Sequence, residues 1–562
     1  MHFLRATAAA VVTAGFLSGA MASMAYNYHN RAANPKWMSG DFHQHTLYTD
    51  GKTSFDFVMS RNNQYGLDWW ANSEHGGTRT YDGDGHYFDD QNWYAPGTIL
   101  GDYRTSSGHQ VMYRWQSLRD FVWPDIIRAR REYRDKRIAS GVEWNVPGHE
   151  HCSVGIIADN SDAVSAFEFQ FDKSDPDQSR VGEMTLFGPL VKTNGLGKPF
   201  GDDRHADAVA ACKWMHDQKA AGFIDDAWII FAHIERKGAF KSGSSDGGYN
   251  VEHFRDFNNA APDICFGFEG IPGHQQNADA RGGFGSGASG GGTYGGAGYY
   301  TATIGGLWDA LLGEGRHWFN FASSDYHLHW TKGGDDYYPG EYQKTWSFVE
   351  DLDENGRFSL DEIAQSLRSG NCYNVMGDLI DKLEFEATTS CMIPRHKKWH
   401  HHCWKPVVRE NCVAMGDELH AHGPINDLEL TIRFHSPKFN NFGDSPVVDH
   451  IDLIAGDING KIDPSSPDYS KATNESAQIV ARFTSDNWIV EANGDMVVRY
   501  TIPTLAKSMY FRLRGTNMAP NTEGETDADG NPLLDVSGST SGNEQAWSDL
   551  WFYGNPIFVY TD

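Results

Sequence analysis

The sequence predicts an α/β domain followed by a smaller, β-sandwich-like domain, and three observations predict it. From Met38 to Val375, apolar segments of strand length alternate with helical patterns. After Leu379 the runs shorten and alternate apolar with polar residues, broken by Gly, Pro, Asn and Asp. Histidines and carboxylates recur at the ends of the strand-like segments of the first region. Strands alternating with helices build a largely parallel sheet, whose sites form at the carboxyl ends of the strands. Short alternating runs are the pattern of an antiparallel sandwich.

In chain order, residues 1–22 read as a signal peptide: His2 and Arg5, an apolar run from Ala6 to Ala22, and the A-x-A exit Ala20-Met21-Ala22. The expectation is a periplasmic or secreted protein with no membrane attachment after cleavage. Strands are expected at Leu67–Asn72, Arg137–Trp144, Trp228–His233 and Trp318–Ser323, and helices at Ala206–Ala221 and Gly306–Leu312. The helix ending in Leu367-Arg368-Ser369-Gly370 closes the first region. Asp427–Phe434, His450–Ala455, Met496–Ile502 and Met509–Arg514 are the strands expected of the second. The division is placed at residues 36–385 and 386–562.

Gly282–Gly298 is more than half glycine and reads as a mobile loop near the site. Its Gly285-Ser286-Gly287-Ala288-Ser289-Gly290 has nucleotide-loop spacing but lacks the preceding strand and following helix that such a loop needs. A net charge of −28 sets duplex nucleic acid aside as a partner, because a phosphate backbone would be repelled. Of seven cysteines, Cys391, Cys403 and Cys412 cluster beside His396, His400, His401 and His402, with Cys372 a further candidate for pairing. Zinc-finger spacing is absent, so a disulfide-closed insertion is expected there.

Asp41-Phe42-His43-Gln44-His45-Thr46 puts two imidazoles on one face of a strand, with Asp50-Gly51 on the turn beyond. Glu74-His75, Glu143, His149 and His151, His233, and Asp325 with His327 follow at further strand ends. A single histidine is more often a hydrogen-bonded core residue than a ligand. The same coincidence at successive strand ends points to a metal cluster.

These motifs resemble those of the PHP (polymerase and histidinol phosphatase) superfamily, over about residues 38–375. Asp41-x-His43-x-His45-Thr46 with Asp50-Gly51 is similar to its opening motif, and Ser73-Glu74-His75 to its second, where aspartate is the more usual neighbour of the histidine. Phe231-Ala232-His233 resembles the third, Ser323-Ser324-Asp325-Tyr326-His327 the fourth, and Gly141-Val142-Glu143 the bridging glutamate. The resemblance implies a distorted seven-stranded β/α barrel of TIM-like form, two or three divalent metals, and hydrolysis of phosphate esters. It implies that His43, His45, Glu143 and Asp325 share one metal. Glu143 would bridge to a second held by His233 and either His149 or His151, and Asp50, His75 and His327 would hold the third. The pattern does not choose between His149 and His151; His151 is preferred. Ile363 to Tyr373 resembles the exit from the barrel in secreted members with a β-rich C-terminal domain, some of which act on esters other than phosphate.

Mixed His and carboxylate ligands suit Zn²⁺, Mn²⁺ or Fe²⁺. A metal pair would lower the pKa of a bridging water and clamp the oxygens of an in-line displacement on a small-molecule ester. Arg236, Lys237 and Arg316 are candidate cations for the developing charge. His274 is a candidate proton donor, and Glu269 a further pocket residue. Asp351, Asp353, Asn355, Ser359 and Glu362 have the spacing of a Ca²⁺ loop; Ser359 and Glu362 are equally a helix capping box. Hydrolysis of carboxylic or carbamic esters or amides at the same metals, or metal or carbohydrate binding without turnover, are the alternative readings.

Overall fold

The structure is a computed structural model that describes residues 33–76, 80–101, 105–199, 202–241, 247–277, 280–389, 412–535 and 542–561. The expected signal peptide and the stretch carrying Cys391, Cys403 and His396 to His402 lie outside the described residues.

Seven strands lie side by side in sequence order: β1 (Lys36–Asp41), β2 (Trp69–Asn72), β3 (Arg137–Asn145), β4 (His151–Ile157), β5 (Asp226–Phe231), β6 (Cys265–Ile271) and β7 (Phe319–Ala322). Intervening helices include α1 (Phe55–Gln64), α2 (Trp123–Glu132), α3 (Asp162–Phe171), α4 (Asp202–Ala220), α5 (Val251–Ala260) and α6 (Leu307–Leu312). Every residue of β5, Asp-Ala-Trp-Ile-Ile-Phe, is buried, as expected of a strand covered on both faces. Trp228, Ile229, Ile230 and Phe231 each contribute about 1.5–3 kcal/mol by burial.

The sheet is mixed. Strands β1–β2–β3 and β5–β6–β7 pair in parallel, but β4 runs antiparallel to both neighbours. The cause is local. Only Val146-Pro147-Gly148-His149-Glu150 separates β3 from β4, with Gly148 at φ 83°, and parallel neighbours need a crossover of about a dozen residues. The start of β4 therefore shares a rim with the carboxyl ends of the other strands.

No ladder joins β7 to β1 among the described residues, so the expected seven-stranded barrel is not closed by strand pairing. Side chains meet the β7 edge instead. Thr345 Oγ1, from β8 (Gln343–Val349), accepts from Ala322 N at 2.9 Å and donates to Ala322 O at 2.8 Å. Asn374, on β9 (Cys372–Met376), donates to Asn320 O at 2.8 Å, and Asn555 Oδ1 accepts from Asn320 N at 2.9 Å. A single bridge between Gln44 and Tyr326 spans the gap beyond the strand ends.

Helix α7 (Leu360–Ser369) precedes β9, and the chain then forms β10 (Lys382–Thr388), β11 (Cys412–Ala414), β12 (Glu418–Ala421), β13 (Ile425–His435), β14 (His450–Asp457), β15 (Gln478–Thr484), β16 (Ile489–Val490), β17 (Met496–Leu505), β18 (Met509–Thr516) and β19 (Trp551–Thr561). A five-stranded antiparallel sheet runs β11–β10–β13–β17–β16. Its inward residues Leu383, Phe385, Leu430 and Ile432 share a core with Leu453, Phe511 and Leu513 of the other sheet. That second layer is the far end of the large sheet itself, which continues β1–β8–β9–β19–β18–β14–β15 with β12 on β19, fourteen strands in all. The division expected at 385/386 falls inside β10.

The glycine-rich segment is fastened rather than loose. Asp535 accepts from Thr293 Oγ1 at 2.5 Å and from Gly295 N and Gly296 N at 3.0 Å, while Arg281 pairs with Asp549 at 2.7 Å. Cys372 is a buried free thiol within β9, so it takes no part in the pairing considered for it; Cys412 is disulfide-bonded. Among the described residues, no helix is long and apolar enough to cross a membrane.

Candidate metal centre

The turn after β1 is built to return on itself. A Cβ at Gly51 would lie 2.5 Å from the His45 carbonyl carbon, so only glycine lets Asp50 fold back toward His45. Asp41 accepts from His43 N at 3.1 Å and Ser324 N at 2.8 Å, fixing the His43 strand end against that of Asp325. Burial pushes its carboxyl up to about 7. Glu74 accepts from the hydroxyls of Thr46 and Thr49 and from Asn72 Nδ2. Its extra methylene lets one carboxylate brace both threonines of the ligand turn.

Glu143, on β3, is the hub. Its Oε1 lies 2.7 Å from His151 Nδ1, 3.0 Å from His233 Nε2 and 3.3 Å from His43 Nε2. Its Oε2 lies 2.8 Å from His75 Nε2 and 3.0 Å from His45 Nε2. Asp325 Oδ1 stands 3.0 Å from His43 Nε2 and 3.3 Å from His45 Nε2. Asp50 Oδ2 is 3.3 Å from His327 Nε2 and 3.8 Å from His75 Nε2. The overlapping groups His43–His45–Glu143–Asp325, His45–Asp50–His75, His75–Glu143–His151 and Glu150–His151–His233 each converge closely enough to hold an ion.

Partners behind the ligands fix their rings. Glu269 Oε2 is 3.0 Å from His43 Nδ1 and Glu269 Oε1 also accepts from Ser153 Oγ at 2.7 Å, so Glu269 orients His43 and does not line the cleft. Glu150 Oε2 lies 3.2 Å from His233 Nδ1 and 3.0 Å from Arg236 Nη2. Asp336 Oδ1 holds His274 Nδ1 at 2.5 Å, while its Oδ2 accepts from His327 N and Leu328 N. His233, His274 and Asp325 all adopt positive φ, at 32°, 58° and 44°. L-residues rarely accept that conformation, and where it persists it clusters at functional sites.

The residues fit a metal cluster by their unmet valences. His43 Nε2, both ring nitrogens of His45 and Asp325 Oδ1 are buried, and although oppositely charged groups stand within 3.5 Å of each, none is aligned for a hydrogen bond. Unpaired buried polar groups are costly and call for an unseen partner, here a cation. Charge supports the same reading. Burial works to raise Glu143, but His75, His151 and His43 outweigh it and hold the carboxyl well below its usual range. Burial likewise opposes the low Asp325, which His43 and His274 hold down. Burial works to lower His43 and His45, yet the neighbouring carboxylates, Asp325 first for His43 and Asp50 first for His45, push both well above their usual range. His151 is lowered by burial, which Glu143 only partly opposes.

The cleft over this cluster measures about 370 Å³. His75, Glu143, His151, His233, His274, Asp325, His327, Asp50 and Arg236 line it. His149 is a correction: it points away, to His205 and His253, because Gly148 breaks the strand period just before it and leaves it in the turn. Arg316 is a second correction. It is buried before β7, with Nε 2.8 Å from Glu314 and Nη1 on Asn258 and Asn259, and does not line the cleft. Lys237 lies 3.8 Å from Glu150 and is likewise absent from the walls. The expected Ca²⁺ loop, Asp351, Asp353, Asn355, Ser359 and Glu362, is a separate feature outside the cleft walls. Its capping box is present, Ser359 N donating to Glu362 Oε2 at 2.8 Å and Glu362 N to Ser359 Oγ at 3.2 Å. Glu150, Asp336 and Lys52 complete the site and were not foreseen. Glu150 sits between the two histidines weighed as ligands, which was the available signal.

No family model and no curated protein matches the chain. Among solved structures it is similar to a two-domain protein containing a predicted PHP-like metal-dependent phosphoesterase from Bacteroides vulgatus ATCC 8482. That similarity is at 12% identity over 90% of this chain and 95% of the other, with a TM-score of 0.30. In the order of its motifs and the convergence of their histidines and carboxylates, the chain resembles the PHP superfamily.

Proposed function

We propose that the protein is a metal-dependent hydrolase of small ester substrates, phosphate esters before others. The observation that carries this is the buried Glu143 carboxylate with five imidazoles, those of His43, His45, His75, His151 and His233, within 3.3 Å of its oxygens. Divalent transition metals held by these residues would supply Lewis acidity and lower the pKa of water toward neutrality.

The chain's own residues provide the rest. Arg236, aimed into the cleft from beside Glu150, binds a substrate oxyanion. Lys52, exposed on the same rim with its backbone N held by His327 O at 2.9 Å, adds a second cation. His274 holds its proton on the cleft wall: burial lowers its affinity for the proton, but Asp336 and Asp325 raise it to about 10, which equips it to protonate a leaving oxygen. Leu328 is the single apolar side chain along the walls among the described residues, so a compact, charged substrate fits better than an apolar one.

The test is a turnover screen of the metal-loaded protein on phosphate monoesters, phosphodiesters and aryl carboxylic esters. Phosphomonoester hydrolysis abolished by chelator is expected. Turnover of carboxylic esters alone moves the assignment to acyl chemistry, and no turnover of any class refutes it.

A further inference from the structure

His149, His205 and His253 bring one ring nitrogen each to within 4.8 Å of one another, in a cluster separate from that around Glu143. His149 comes from the β3–β4 turn, His205 from α4 and His253 from α5. His149 is fully buried and His253 is 5% exposed.

The hydrogen bonds fix the protons. His149 Nδ1 lies 3.0 Å from the Gly248 carbonyl oxygen, which can only accept, so Nδ1 carries the proton and Nε2 is bare. His205 Nε2 lies 3.2 Å from Asp256 Oδ2, and Asp256 Oδ1 accepts from Tyr469 OH at 2.7 Å. The carboxylate places the His205 proton on Nε2 and leaves Nδ1 bare. The two bare nitrogens face each other at 2.9 Å. Lone pairs that close repel unless a cation lies against both, either a second proton on His205 or a metal. Backing of one ring by a carbonyl and of the other by a carboxylate is the arrangement that orients metal-ligating histidines.

We propose that His149, His205 and His253 form a second site for a divalent transition metal such as Zn²⁺, with Asp256 positioning His205. His149 Nε2 and His205 Nδ1 are the committed ligands. His253 Nδ1 accepts from Asn250 N at 3.0 Å, so its proton sits on Nε2. It becomes the third ligand by moving that proton to Nδ1, giving up the Asn250 hydrogen bond. An occupied site pins the turn that carries Glu150 and His151 to α4 and α5, and so steadies one wall of the catalytic cleft.

Full-length protein equilibrated with Zn²⁺ and dialysed is expected to retain one more equivalent than the His205→Ala variant. Asp256→Asn is expected to weaken that equivalent about 10- to 100-fold. Wild-type crystals loaded with Zn²⁺ are expected to show an anomalous peak between His149 Nε2 and His205 Nδ1; this map decides if the variant does not fold or the two measurements disagree. No peak there overturns the proposal and identifies the cation as a proton on His205. A peak at Glu143 without one at His149 leaves the hydrolase reading standing, and the reverse removes that reading alone.

Discussion

The carboxylate of Glu143 and the imidazole of His151 meet at 2.7 Å across the hairpin that reverses the chain between them. Their contact depends on β4 running antiparallel, which brings its first residue to the rim where β3 ends.

His151→Ala is accordingly expected to lower kcat/KM by about 100-fold or more through loss of metal, whereas His149→Ala, which takes no ligand from the cleft, is expected to cost much less. Glu143→Gln is expected to cost about 1000-fold, since several kcal/mol of charge stabilisation goes with the metals it holds. Metal content by atomic emission alongside steady-state kinetics checks all three. Full activity in Glu143→Gln would refute the centre.

Glu150 fixes two groups with one oxygen. Glu150→Gln is expected to reduce metal affinity or activity about 10- to 100-fold through a misplaced His233. Arg236→Ala removes only the substrate cation and is expected to raise KM more than it lowers kcat. A variant at Glu150 that matches Arg236→Ala in both parameters would show that the histidine is positioned by something else.

Protons and metals compete for the same atoms. Without metal, His43, His45 and His75 have raised pKa values and Glu143 and Asp325 lowered ones. The raised histidines stabilise the fold fully below about pH 6.5, and that contribution is lost as pH climbs through their folded values. The lowered carboxylates contribute above about pH 4, and that is lost as pH falls through theirs. The share of these five groups in the melting temperature of the chelated protein is therefore expected to be largest between about pH 4.5 and 6.5, against the opposing share of His151, whose lowered pKa costs stability as pH falls below about 6.5. Metal-loaded protein should gain stability as pH rises above that window, because loading releases protons. Calorimetry in two buffers of different ionisation enthalpy checks the release; equal heats would contradict it.

Asp309 of α6 and Arg512 of β18 form a fully buried bidentate pair, both contacts 2.8 Å. Asp309→Ala strands the guanidinium and is expected to cost about 3–5 kcal/mol. Urea denaturation measures the loss, and metal content should not change.

The sequence made most strands and most of the converging histidines and carboxylates legible because both depend on local pattern. The buried run of β5 and the alternation of β13 need no knowledge of their neighbours. What escaped was tertiary. The reversal of β4 follows from the shortness of one turn, and His149 left the two-residue period because Gly148 turns the chain before it. Arg316 was assigned by nearness in sequence, yet it lies at the opposite end of β7 from Asp325. Asp336 acts through partners that no spacing reveals, and Glu150 was marked only by its place between two candidate ligands. The open side of the strand ring is met by Thr345, Asn374 and Asn555, whose roles exist only once the chain has folded.

Strand β19 pairs with β9 on one edge and β18 on the other, and it comes after every other strand in the sequence. A nascent chain carrying all the ligands of the metal centre still presents β9 as a bare edge until residues 551–561 leave the ribosome. Such an edge is a template for pairing between molecules. Chains truncated near the 385/386 division should be recovered as aggregates rather than as smaller enzymes, and the two halves of the whole protein should share one unfolding transition.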